Sequence, residues 1–244
     1  MEILIVILLV VLFFVVVFAV TTAKRNKVFQ ENIERRQKFL ETIGPNARAI
    51  VNNGQHFFFV DDTRRVFGLD ESGKVYTYEG LLSIGTFRDC ITFMHNDSFT
   101  LCVGKNAFSY EETLPLDTAS VTAIANVMLP ILRKKLHNEL AVHAITPTFE
   151  YEHEGVFLGC DMQSKFFYST FGCTHIYPFS ALNRITVEDM TNNSLYDGSY
   201  ILSLYIKSDV FDDDDQFDLT FHAMDAKFNS MLTMFKEIRK RRRF

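Results

Sequence analysis

Cys160, Cys173 and His175 come nearest to a set of side chains that could do chemistry. Two thiols and an imidazole are zinc ligands by type, but C-x12-C-x-H fits no standard finger and brings no obvious fourth ligand. Cysteine on neighbouring strands is also an ordinary small apolar residue, and the metal-free reading is preferred. A metal-dependent enzyme built on these three residues is kept as the alternative. Asp209, Asp212, Asp213, Asp214, Asp215 and Asp218 form an acidic pole without the glycine and distal glutamate of a calcium loop, so they read as a solvated hairpin loop. His56, His95, His137, His143, His153 and His222 are scattered. No G-x-S-x-G elbow, phosphate loop or H-E-x-x-H occurs. No catalytic residue, metal or cofactor is therefore expected, and the chain is read as a binder and not as an enzyme.

A second kind of chemistry is electrostatic. Arg239, Lys240, Arg241, Arg242 and Arg243 close the chain, and Lys24, Arg25 and Lys27 follow an apolar N-terminal run. Each cation near an anionic leaflet is worth on the order of 1 kcal/mol, so these eight residues are read as a membrane-surface set facing anionic lipid. The bland reading of the C-terminal group is a helix end whose dipole favours cations, and five in a row exceed that need. The acidic pole could instead pair with the basic tail of another copy, which leaves self-association open. A net charge of −5, with cations gathered at two places, argues against nucleic acid.

Elements must carry these groups. Ile3 to Val20 is an unbroken apolar run, long enough as a helix to approach the ~30 Å thickness of a bilayer core. It is longer than a signal-peptide core and its first residues are Met1-Glu2, not a basic region. Residues 1–23 are therefore expected to form a transmembrane anchor. The cations that follow would put the N-terminus outside and the bulk in the cytoplasm, making a single-pass cell-membrane protein. Four cysteines without a dense framework agree with a reducing compartment. Residues 24–45 read as a helical stalk, with Phe29, Ile33, Leu40 and Ile43 on one face and Gly44-Pro45 as its stop.

From residue 46 the period shortens to that of strands, and 25 Phe with 9 Tyr imply an aromatic core. Strands are read at 56–60, 64–69, 74–78, 90–95 and 99–103, with turns at 70–73 and 96–98. A helix then carries Val121, Ile124, Met128, Ile131 and Leu132 on one face, with Asp117 or Thr118 as N-cap and Pro130 as a kink or an early stop. The pattern recurs. Strands are read at 156–160, 165–171, 174–179, 185–188, 200–206 and 217–221, then a helix with Met224, Phe228, Met231, Leu232, Phe235 and Ile238. Aligned as halves, Asp62 meets Asp161, Phe67 meets Phe166 and Gly73 meets Gly172. After a short insertion Tyr76, Leu81 and Ile84 meet Tyr177, Leu182 and Ile185. This suggests an internal duplication with modules at 46–137 and 138–244.

The sequence of Val60-Asp61-Asp62, Lys74-Val75-Tyr76-Thr77-Tyr78 and Leu81-Leu82-Ser83-Ile84, repeated in Ile176-Tyr177-Pro178-Phe179 and Leu182-Asn183-Arg184-Ile185, resembles bacterial pleckstrin-homology-like domains. The resemblance implies two antiparallel β-meanders, each closed by a C-terminal helix, hence an α+β fold behind a transmembrane helix. It also implies binding of lipid head groups, peptides or partner domains without catalysis. Asp70 and Glu71 at the first hairpin tip, and the lack of a basic residue at the second, depart from the lipid-binding version. The expectation is a scaffold with protein partners at the inner membrane face. A subunit of a larger transport or defence complex is a further alternative.

Overall fold

A computed structural model describes the backbone except at residues 1, 53–56, 71–73, 88–89, 97, 105–112, 115–116, 191, 193–198, 208–214 and 242–244; side chains are further left out at 2–16, 52, 87, 98–104 and 113–114. Outside the described residues fall most of the acidic pole, Arg242 and Arg243, His56, the tip of the turn at 70–73, and Asp97. The chain divides into two units, Met1–Tyr78 and Glu79–Phe244.

The first unit begins with α1 (Glu2–Ile43), followed by β1 (Arg48–Asn52), β2 (Phe57–Asp61), β3 (Val66–Leu69) and β4 (Val75–Thr77) in one antiparallel sheet of that order. The helix stops where Gly44-Pro45 stands, as read from the sequence. Its last two turns lie on the sheet: Phe39, Leu40 and Ile43 pack with Phe57 and Phe59, and the Phe39 ring meets those two edge-on at 5.8 and 5.4 Å. Every residue of β2 is buried, which explains why it reads as a continuous apolar run and not as an alternation.

The single-pass anchor is not sustained. Among the described residues no helix is long and apolar enough to cross a membrane. The part of α1 whose side chains are described, residues 17–43, bears Lys24, Arg25, Lys27, Glu31, Glu34, Arg35, Arg36, Lys38 and Glu41, charges that hydrocarbon does not accept. The side chains of residues 2–16 lie outside the described set. The expected transmembrane helix, signal anchor, outside N-terminus and cell-membrane localisation are corrected accordingly.

The second unit opens with β5 (Leu81–Phe87), β6 (Cys90–His95), β7 (Ser98–Gly104) and β8 (Thr113–Leu114), the last parallel to β7. Next comes α2 (Thr118–Val142), packed on β5 and β6 through Val121, Ile124, Met128, Leu132, Leu136 and Leu140. Asp117 caps it by accepting from the Ser120 N–H at 2.8 Å, and Pro130 lies inside without ending it. There follow β9 (Phe149–His153), β10 (Val156–Asp161), β11 (Phe166–Ser169) and β12 (His175–Pro178), a sheet ordered β12-β11-β10-β9. A 3-10 turn over Phe179–Ala181 leads to β13 (Leu182–Asp189), β14 (Tyr200–Ile206) and β15 (Asp215–Phe221), a second sheet. Finally α3 (Ala226–Arg241) sets Phe228, Met231, Phe235 and Ile238 into a core with Leu158, Phe167, Leu202 and Leu204. The architecture is α+β, with three helices and four sheets among the described residues.

The same hydrogen bonds appear twice. Asp61 accepts from the N–H of Thr63 and Arg64, and Asp161 from Gln163 and Ser164. Each turn ends on a residue with positive φ, Arg65 at 57° and Lys165 at 61°, whose carbonyl accepts from Tyr78 and Phe179. Phe57 N–H donates to Asp70 Oδ1 at 2.7 Å; Phe157 N–H donates to Thr170 Oγ1 at 2.9 Å. Gly80 O accepts from Asn96, and Ala181 O from Lys207. A register irregularity falls between Leu81 and Ser83, and again between Leu182 and Arg184. The counterpart of Asp161 is thus Asp61, not Asp62, and Phe67 matches Phe167, not Phe166. The pairs Tyr76/Tyr177, Leu81/Leu182 and Ile84/Ile185 occupy equivalent places.

Candidate functional site

Strand alternation puts His175 and Tyr177 on one face of β12, opposite Ser169 and Phe167 of β11. Their rings stack at 5.8 Å and 10°. Phe217 of β15 meets both, at 5.9 and 6.2 Å, and Phe171 meets Phe217 edge-on at 5.9 Å. The aromatic ladder lies beside a groove of about 800 Å³ lined by His175, Tyr177, Pro178, Lys207, Asp215 and Phe217 among others. Among the described residues both flanking strands are sheet edges: β12 is outermost in its sheet and β15 in its own. Such edges leave one row of backbone groups without a strand partner. Lys207 N–H donates to Ala181 O at 2.9 Å, and both residues line the groove.

Electrostatics are mixed but lean acidic along β15, where Asp215, Gln216 and Asp218 are exposed. Gln216 Nε2 donates to both Asp218 oxygens at 2.8 and 3.0 Å. Burial, then the neighbouring Asp215 and Cys173, pushes the Tyr177 phenol up to about 12, so it remains a donor. Beside the ladder, Cys173 Sγ and His175 Nε2 are 3.1 Å apart.

Three further features belong to this unit. A groove of about 400 Å³ runs between β9 and α3, lined by Phe149, Tyr151, Met162 and Met234 with Asn229 and Glu237. A smaller cavity of about 230 Å³ holds Cys90, His153, Glu154 and Asp218. There His153 stacks on Phe221 at 3.9 Å and reaches Thr220 O at 2.6 Å, and burial raises the Glu154 carboxyl against the pull of His153 and His222. The third is a polar network on Glu150 of β9. It accepts from Arg133 Nε at 2.6 Å and Tyr168 OH at 2.7 Å, and His137 Nε2 lies at 2.7 Å. Burial pushes the Glu150 carboxyl up, but the bonds from His137 and Tyr168 and the charges of His137 and Arg133 leave it below its ordinary value. Arg133 and His137 are one helical turn apart on α2, a spacing visible in the sequence. Their acceptor on β9 has no local sequence signal.

The residues singled out from sequence separate. Cys173 and His175 meet at the groove. Cys160 is fully buried in β10, and burial pushes its thiol up to about 12, with Asp161 adding to the effect. Among the described residues no group of three or more His, Cys, Asp or Glu could hold a metal. Lys24, Arg25 and Lys27 are exposed on α1, where Lys27 lies 3.8 Å from Glu31. Arg239, Lys240 and Arg241 are exposed in the last turn of α3, and Glu237 takes Lys240 at 3.7 Å and Arg241 at 2.9 Å. Sequence reasoning missed Phe217 as a rung of the ladder, because its partners lie on a strand distant in sequence.

No protein-family model, curated protein or solved structure matches the chain.

Proposed function

We propose that the chain is a non-catalytic binding protein whose second half takes an extended, basic segment of a protein partner along β15 and the groove beside β12. The groove with its aromatic ladder is the observation that carries this reading. Ligand sites are concave, mainly apolar, and fixed by a few polar groups, and this one has ring faces for side chains with Asp215, Lys207 and His175 at its borders. An exposed strand edge adds backbone hydrogen bonds to an incoming strand, while alternate pockets give selectivity. Exposed Asp215 and Asp218 favour cations in that strand. The four-plus-three strand order closed by α3 supports the resemblance to pleckstrin-homology-like domains, a family that includes peptide and partner binders.

Selection of displayed random peptides on the purified full chain tests this. Enriched peptides should carry Lys or Arg around an apolar residue. Their affinity should fall at least about tenfold with Asp215→Lys combined with Asp218→Lys, exposed changes that spare the core. Failure to enrich any peptide, or equal binding by the charge-reversed chain, overturns the proposal. A synthetic peptide of residues 236–244 is a second probe. If it binds as tightly as the selected peptides, the partner segment is the basic tail of another copy.

A further inference from the structure

We propose that Cys173 and His175 form a nucleophilic pair that accepts an acyl group from an activated acyl donor, making Cys173 a modification site. The geometry is that of a thiol and its base: Sγ and Nε2 are 3.1 Å apart, within the reach needed for proton transfer. The imidazole is held in place, stacked on Tyr177 at 5.8 Å and met by Phe217 at 5.9 Å. A base with a fixed ring loses less orientation entropy when it acts. Cys173 is half-buried and so within reach of a reagent. The preceding Gly172, at φ +76°, has no heavy atom beyond its own chain neighbours within 4 Å of where a Cβ would stand, so the approach over this turn is open. The ring faces of Phe171, Tyr177 and Phe217 provide an apolar wall for the hydrocarbon part of the donor.

The step balances without an oxidant. His175 Nε2 takes the proton from Cys173, and the sulfur lone pair attacks the carbonyl carbon of a thioester or activated ester. The new S–C bond forms as the bond to the leaving thiolate or alkoxide breaks, and the leaving group takes the proton from the imidazolium. The product is a thioester on Cys173 and one free thiol or alcohol. The inference does not depend on peptide binding at the groove.

The chain supplies its own control in Cys160, which is fully enclosed in the core. The full-length protein is treated at pH 7 with p-nitrophenyl acetate, release of p-nitrophenolate is followed by absorbance, and the acetylated residue is located by peptide mass mapping. The expected result is a burst near one equivalent, with the acetyl group on Cys173 and acylation at least about tenfold faster than at Cys90 or Cys160. His175→Ala should slow Cys173 acylation by at least about tenfold, and free imidazole in solution should restore part of the rate. Iodoacetamide serves as a second probe on the same chains, and circular dichroism checks that the variant is folded. Labelling of Cys173 no faster than Cys90, or a His175→Ala rate equal to wild type in a folded chain, overturns the proposal.

Discussion

The repeated aspartate turn allows one substitution to be judged against its own internal counterpart. Asp161 is buried and accepts three backbone bonds, from Gln163 at 2.8 Å, Ser164 at 3.1 Å and Thr146 at 3.0 Å. Asp61 is equally buried and accepts two, from Thr63 at 2.9 Å and Arg64 at 3.0 Å, while its Oδ2 has no partner among the described residues. A hydrogen bond to a charged acceptor contributes about 1.5–3 kcal/mol, and such terms are less than additive. Asp161→Ala should therefore cost about 3–4 kcal/mol. Asp61→Ala loses two bonds but also removes a buried orphan oxygen whose desolvation costs about 1–3 kcal/mol, for a net loss of about 1–2 kcal/mol. At about 2–4 °C per kcal/mol, the Asp161 variant should melt roughly 10 °C lower and the Asp61 variant a few degrees lower. Burial alone would raise the Asp161 carboxyl, but the bonds from Thr146, Ser164 and Gln163 bring it down to about 2. Its folded value lies below the unfolded one, so its stabilisation is complete above about pH 4 and disappears as pH falls towards 2. Thermal melts of wild type, Asp61→Ala, Asp161→Ala and Asp161→Asn from pH 7 to pH 3 would check this. Asp61→Ala matching or exceeding the cost of Asp161→Ala, or a wild-type-to-Asp161→Asn gap that does not narrow below pH 4, would refute the reasoning.

Other perturbations follow from the same structure. Gly155 has φ +86°, and a Cβ there would run into the carbonyl oxygen of Ile84; Gly155→Ala should cost about 2 kcal/mol or more in urea titration. Phe235 is fully buried against Phe167, so Phe235→Ala should leave a cavity costing about 3–5 kcal/mol by the same measurement. Glu150→Gln removes the charge facing Arg133 and His137, which are themselves half exposed, so the loss should be modest, about 1 kcal/mol. Because the Glu150 carboxyl is held below its ordinary value, that loss should fade as pH falls through and below the carboxylate range, readable in denaturation midpoints at pH 7 and pH 3.

Much of the fold was legible from patterns that depend on neighbours in sequence. The helix stop at Gly44-Pro45, the Asp117 cap and most strands followed from local rules. Four edge strands were missed, β1, β5, β8 and β9, and two of them show why. The segment Phe149–His153 does alternate, but as a sheet edge its residues are only partly buried or exposed; Arg48–Asn52 is short and half polar. The doublet Asp61-Asp62 gave the wrong register, because sequence cannot say which of two adjacent carboxylates turns inward. The structure assigns that place to Asp61 and leaves Asp62 outside, with Arg48 at 3.2 Å. Pro130 read as a break, yet Leu136 and Leu140 beyond it are buried, since tertiary packing outweighs one missing donor. The membrane reading rested on the hydropathy of Ile3 to Val20 and on the cations that follow it and close the chain. At the groove, Cys173 and His175 were visible as a spaced pair, whereas Phe217 joined them only once β12 and β15 came together.

The helix α2 belongs to two neighbours at once. It covers β5 and β6 with one face, and through Arg133 and His137 it holds Glu150 at the start of the following sheet. The boundary of a repeat therefore cannot be drawn through it without taking something from both sides. A chain built in this way does not lengthen or shorten like beads on a string. A cut anywhere inside α2 would uncover β5 and β6 or take the cations from Glu150. The two faces of α2 are thus a linked pair, and a change on one face is constrained by what the other holds.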